Sequence, residues 1–529
     1  TQIAALSAAT VDGLTATALA SLATTQVAAL AATQIGALDA ESMAALTTTQ
    51  IRALTTTGIK GLGSTQVAAL TIDQLGALAT TQIAALTTGA IRGLTATELT
   101  ALTATQLGAL AATEIAALTE GQVEALGTDQ LGRLTTTQIA SLSTTGIAGL
   151  TTTQVASLAT AQVAALTTSE LRAFDETQIG ALAATQIARL SATQIAGLAG
   201  TQLAALTETQ FAALSTTQIA SISATAIGAL TTTEIAALTG TRLAALTATG
   251  MDGLGATQIA AFSATQLAAL TTTQLRGLGA DGIAELSTGQ IAALTATQLG
   301  ALTSTQMAAL ADTQVAALGA TGVAALSATQ LAALSTTGIE ALTATELAAL
   351  TTTQVAGLAA TQVRALSATQ IGALATSQIA ALTTTEIAGL GETQVAALSA
   401  AQFAALSTTQ LAALGAAGIA GLSSTAIAAM TSTQLAALGT QAIAALSTTQ
   451  IRALTETSIG LLSTTQIRAL TATEAAALTA TQIAALDTRQ IAALTTSAIT
   501  GLTATEVADL TTTQLGAMNT SQIAALSTT

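Results

Sequence analysis

One eight-residue phrase is repeated from Thr1 to Thr529 without an insertion or deletion, and a period of eight excludes most of what a chain can fold into. A representative copy is Thr479-Ala480-Thr481-Gln482-Ile483-Ala484-Ala485-Leu486, preceded by Leu478. In one uninterrupted α-helix each octad would lie about 80° further round, because eight steps of about 100° overshoot two turns, and Ile and Leu would be smeared over the whole surface. In a flat strand Ile483 and Leu486, three apart, would face opposite sides, and the Ala-Ala between them suits strands poorly. Two architectures survive. The first is an all-α solenoid of about 66 very short capped helices, one per octad; the alternative is a β-solenoid that turns a corner between the two apolar residues. The helical reading is favoured by what precedes each apolar pair.

Thr479 has the chemistry of an N-cap, with a hydroxyl able to accept the orphan NH of Gln482 while the Gln482 amide reaches back to the Thr479 NH. Leu478 and Ile483 then occupy the two places of a hydrophobic staple. Stepping by eight from Ser7 to Ser527 gives 66 cap positions: 28 Thr, 16 Ser, 10 Ala, 8 Gly, 3 Asp and 1 Asn. All but Ala belong to the residues that cap helices. Three residues on the column is mostly Gln, with its acidic counterpart at Glu98, Glu114, Glu170, Glu234, Glu346, Glu386, Glu474 and Glu506. The cap residue also ends the preceding helix, which would explain Gly63, Gly127 and Gly255.

A helix of about seven residues spans roughly 10 Å and cannot stand alone. Its Ile-x-x-Leu pair must be buried against adjacent copies, so the expected object is a single solenoid over residues 1–529, a superhelical rod with two to four octads per coil and stability summed from local terms. The four Phe (Phe174, Phe211, Phe262, Phe403) and all five Met fall in the Ile or Leu columns and read as core. The residue after Ile carries Arg52, Lys60, Arg92, Arg172, Arg276, Arg364, Arg452 and Arg468 but also Asp12, Glu124, Asp252 and Glu340, so that side should face water. Thr, Ser, Gln and Ala are left to cover the outside. Two irregularities stand out: Ala475 is the one small residue in the Ile column, predicting a weak point with a small void, and Gly58, Gly146, Gly250, Gly282, Gly322, Gly338 and Gly418 replace the Gln, predicting octads that fray. The ends fall inside repeats, and the expectation is a segment of a longer array.

Catalytic chemistry has little to work with. The chain has no His, Cys, Tyr or Trp, which removes Ser-His, Cys-His and imidazole-metal arrangements. Abundant Ser and Thr read as caps, and no enzyme is expected; no cofactor is implied. Asp39 with Glu41 and Asp175 with Glu176 are the carboxylate pairs that calcium could use, but neither recurs in neighbouring octads. No Gly-rich loop followed by Lys supports nucleotide binding. A net charge of −15 argues against nucleic acid. Despite a mean hydropathy of +0.66, the polar residues in every octad leave no apolar run of about 18, so no membrane insertion is expected. Ranks of Thr suggest an ice-binding array, but the two residues after the cap are too often Ala, Ser, Glu or Asp for a flat one.

Copies such as Thr351-Thr352-Thr353-Gln354-Val355-Ala356-Gly357-Leu358 resemble the octapeptide arrays of very large Gram-negative bacterial surface proteins described as adhesin-like. The resemblance covers the whole chain and implies an extracellular or cell-surface setting, with no functional residue to carry over. Charged residues make up only 7% of the chain, so copies repel one another weakly and self-association is expected. The functional expectation is a structural component of an extracellular filament or sheath; the alternative is the stalk or spacer of a giant adhesin whose target is unknown.

Overall fold

The computed structural model describes residues 2–526. They form 65 α-helices, one behind each cap position from Ser7 to Asn519, preceded by a short 3-10 turn at Ile3–Ala5. No strand occurs among the described residues, so the architecture is the all-α repeat solenoid and not the β-solenoid. The last predicted cap, Ser527, lies outside the described residues. The chain divides into two compact units, Thr1–Phe262 and Ser263–Thr529. Each is built from the same octad in the same way.

The helix Thr48–Ala53 shows how. Thr47 is extended at φ −71° and ψ 158°, and its hydroxyl accepts the Gln50 NH at 3.2 Å while Gln50 Oε1 accepts the Thr47 NH at 2.8 Å. Ile51 NH then donates to the Thr47 carbonyl, and Leu54 NH closes a tighter turn onto Ile51 at 3.2 Å. Leu54 itself leaves the helix at ψ 134°, and Thr55 follows extended at ψ 160°. The chain thus breaks by two successive extended residues. That corrects the reading of the glycines in the cap column, for Gly63, Gly127 and Gly255 all have negative φ and extended backbone that any residue can adopt. Among the described residues only Gly279 and Gly319, at φ 67° and 65°, use the left-handed conformation that glycine permits. There the following helix begins at the glycine itself, after Leu278 alone in the first case and after Ala317 and Leu318 in the second.

Packing partners are not the adjacent octads. Helix Thr48–Ala53 packs on Thr24–Val27 before it and Ile72–Ala77 after it, three octads away in each direction, and the same step recurs throughout each unit. Hydrogen bonds described below reach into the fourth octad back, so one coil takes more than three octads and fewer than four, inside the range expected. The Ile and Leu columns form its interior: Ile51, Ile59, Ile83 and most of their equivalents are buried, as are Phe174, Phe211, Phe262 and Phe403, although Ile523 is exposed. Where Gly precedes Leu, as at Gly61 and Gly501, coils approach so closely that a Cβ would collide with the carbonyl oxygen of Ala32 or Ala472, 29 residues earlier. At the predicted weak point Ala475 is fully buried, and Ala477 beside it is drawn in to 2% exposure. The predicted outward column is exposed at Arg52, Glu124, Asp252 and Arg364 alike. The Gln-less octads at Gly58 and Gly146 keep their helices and their cap bonds, at 3.1 Å to Thr55 Oγ1 and Ser143 Oγ.

Candidate functional site: the buried amide column

Six-residue helices leave most of their last carbonyls without an intrahelical donor. In this fold the donors come from the next coil. Gln482 is 2% exposed, and its amide faces two ways. Oε1 accepts the Thr479 NH at 2.9 Å, completing the capping box, while Nε2 donates to the carbonyls of Ile451 at 2.8 Å and Leu454 at 2.6 Å, 31 and 28 residues earlier. Gln50 does the same to Leu19 and Leu22, both at 2.9 Å, and Gln298 to Leu267 and Leu270 at 2.8 and 2.9 Å. One side chain therefore starts its own helix and satisfies the end of another, in a coil that only the tertiary structure brings beside it.

This overturns the expectation that Gln covers the outside. From Gln34 to Gln522 the column is largely buried, and the surface is left to Thr, Ser and Ala. It also explains nine of the ten Ala caps, Ala111 being the exception: Ala23 and Ala159 have no hydroxyl, yet each NH still donates to a Gln Oε1, at 2.8 Å in both. The signal was present in the sequence. A cap partner needs only an acceptor, which Glu supplies as well as Gln, but stepping by eight from Thr10 to Gln522 gives 40 Gln and 8 Glu. An excess of the residue that can also donate points to a second, accepting partner.

Arg242 stands in the same column and was missed by the sequence reading; its guanidinium donates to the Ala212 carbonyl, 30 residues earlier. Exposed arginines in the column after Ile reach the other way. Arg92, Arg276 and Arg452 donate through Nε to the carbonyls of Ala117, Ala301 and Ala477, each 25 residues later, at 3.4, 2.6 and 3.3 Å.

Glutamates in the column keep the first half of the arrangement. Glu98, Glu170, Glu234, Glu346, Glu474 and Glu506 accept the NH of their Thr cap at 2.5 to 2.7 Å, and Glu386 accepts that of Thr383. Glu114 departs from the expectation, because its carboxylate takes the Thr113 hydroxyl at 2.9 Å instead of a cap NH. None of these carboxylates, when ionised, can donate to a carbonyl. Burial accordingly pushes the carboxyls of Glu234, Glu386 and Glu474 above the usual range, against the lowering effect of the Thr cap bonds.

In each carboxylate pair singled out for calcium the Asp is a helix cap. Asp39 accepts the Ser42 NH at 2.8 Å, and the backbone bond from Ser42, then its side chain, holds the carboxyl below its ordinary value; Glu41 is exposed on the helix that follows. Asp175 accepts the Thr177 hydroxyl and the Gln178 NH, both at 2.7 Å, and these bonds depress it likewise, while Glu176 points to solvent. Among the described residues no three His, Cys, Asp or Glu side chains come together in a way that could hold a metal ion. No described helix is long and apolar enough to cross a membrane.

The family described as ALTTAQ repeat matches residues 43–80, 123–160, 133–168, 264–296, 283–320, 376–408, 408–440 and 427–464, in segments scattered through both units. The chain is a repeat-array protein. No curated protein matches it.

Proposed function

We propose that the chain is a structural component of an extracellular or cell-surface filament or sheath, self-associating through its Thr, Ser and Ala exterior, with no catalytic role. The observation that carries this reading is the Gln column. Each coil is tied to the one before it by paired hydrogen bonds such as those from Gln482 to Ile451 and Leu454, so a pull between coils is resisted by many equivalent bonds to backbone. The exterior offers the second requirement. Gln is turned inward, and what faces water is small, polar and sparsely charged, a surface on which copies can come together without removing many charges from water.

The second reading is the stalk or spacer of a large adhesin. It is favoured by the surplus of carboxylates, a net charge of −15 with Glu208, Glu392 and Glu456 exposed, which keeps copies apart at low ionic strength. Electron microscopy of the native material and sedimentation of the purified chain separate the two. Regular fibres, and association that strengthens as salt is added, support the filament. Single thin stalks ending in a distinct tip, with a chain that stays monomeric at every salt concentration, support the spacer.

A further inference from the structure

Glu234 and Glu386 stand where most octads have Gln, with only half of the Gln chemistry. Oε2 of Glu234 accepts the Thr231 NH at 2.7 Å and the Thr231 hydroxyl at 2.8 Å, and Oε2 of Glu386 accepts the Thr383 NH. The other oxygen, Oε1, takes the corner that the amide nitrogen holds elsewhere. In both residues it is buried without a hydrogen-bond partner, in side chains that are 6% and 2% exposed. The octad register tells what that corner faces. Gln202 donates there to Leu171 and Phe174 at 2.9 and 2.7 Å, and Gln394 to Val363 and Leu366 at the same distances. The carbonyls 31 and 28 residues before Glu234 are those of Leu203 and Leu206; before Glu386 they are those of Val355 and Leu358. An ionised carboxylate would set acceptor against acceptor at the negative end of a helix.

Arg242, eight residues after Glu234 in the same column, gives its guanidinium to the Ala212 carbonyl, and Oε1 is left without a partner. The helix Thr232–Ala237, which carries Glu234, packs on Glu208–Ala212, whose one charged residue is the exposed Glu208, and on Ala256–Ala260, which has none. The octad supplying Leu203 and Leu206 is uncharged. Glu386, in Thr384–Ala388, packs on Ala360–Ala365, whose Arg364 points to solvent, and on the uncharged Thr408–Ala413; the octad of Val355 and Leu358 is also uncharged.

We propose that Glu234 and Glu386 are proton-operated ties between coils. With a proton taken from solvent on Oε1, each carboxyl is a close mimic of Gln, its oxygen Oε2 accepting from the cap and its O–H donating to a carbonyl of the earlier coil. When the proton leaves, the tie is replaced by repulsion and the two coils loosen locally. Acidification therefore tightens the array at these two points. The elevated carboxyl values of both residues agree in sign: the stabilisation is complete below the ordinary glutamate value and is lost as pH rises through the value in the fold.

The test is hydrogen exchange on the full chain at pH 7 and pH 5, corrected for intrinsic rates, read at residues 203–206 and 355–358. Protection in the unaltered chain should rise towards pH 5, by up to about tenfold for each unit by which the carboxyl is raised. Glu234→Gln with Glu386→Gln should be protected at both pH values, with no acid gain. The exposed pair Glu208→Gln with Glu392→Gln removes the same charge and should behave like the unaltered chain. Each single variant should change only its own segment. The proposal is overturned if protection ignores pH, if the exposed pair abolishes the acid gain as fully as the buried pair, or if at pH 7 protection follows added potassium chloride, which would make the occupant a bound cation.

Discussion

The amide nitrogen of Gln50 donates to the carbonyl of Leu22 at 2.9 Å across 28 residues of sequence, and this bond, repeated by Gln after Gln, converts a row of two-turn helices into a coil. Neither residue could be paired with the other from the octad alone, because the octad contains an identical Leu carbonyl at every multiple of eight.

Gln482→Ala removes two donors from buried carbonyls and half of a capping box. The expected cost is about 1 to 3 kcal/mol, felt first at Ile451 to Leu454 and at the start of the Ala480–Ala484 helix. Hydrogen exchange in the full chain should show both segments opening together although 28 residues separate Leu454 from Gln482. Loss of protection confined to the octad of Gln482 would show that the inter-coil bonds contribute little.

Leu486→Ala truncates a side chain that is 4% exposed in the core. It should cost about 2 to 5 kcal/mol locally, while octads many coils away keep their exchange rates, as expected when contacts run only to neighbouring coils. A uniform fall in protection along residues 263–526 would instead mean that this unit unfolds cooperatively.

Gly279 and Gly127 share a column and should respond oppositely to substitution. Gly279→Ala places a Cβ on a residue at φ 67° and should destabilise the second unit by about 1 to 2 kcal/mol. Gly127, at φ −70° and ψ 150°, is already in the backbone of a cap, and Gly127→Ser should add a hydroxyl acceptor and stabilise by a few tenths of a kcal/mol or more. Urea unfolding of the two variants measures both signs.

The pH dependence of Glu474 and Asp175 should run in opposite directions. Burial raises Glu474 above its ordinary value of 4.5, so its contribution is fully present below that pH and is lost as pH rises through the value in the fold. Glu474→Gln should therefore be more protected than the unaltered chain at pH 7 and equal to it near pH 4. Cap bonds from Thr177 and Gln178 lower Asp175 below 3.8, so its contribution is present above that pH and lost as pH falls. Asp175→Asn should be less protected than the unaltered chain at neutral pH, with the difference shrinking as the pH drops below 3.8.

The octad by itself determined the helices: where each begins, that Thr479 or Ser143 caps it, that Gln482 reaches back to the cap NH, and that Ile483 and Leu486 are core. Those relations span three or four residues, within reach of one helical turn, so residue type and spacing are sufficient to set them. What the sequence left open is everything governed by the joint between octads. The extended pair at Leu54 and Thr55 fixes the angle from one helix to the next, and that angle decides that a coil closes after more than three and fewer than four octads. Only then does Gln50 come beside Leu19 and Leu22, and only then is the Gln column turned inward. A strict repeat presents the same donors and acceptors at every register; the backbone angle at the joint, a property of the packed structure, selects which of them meet.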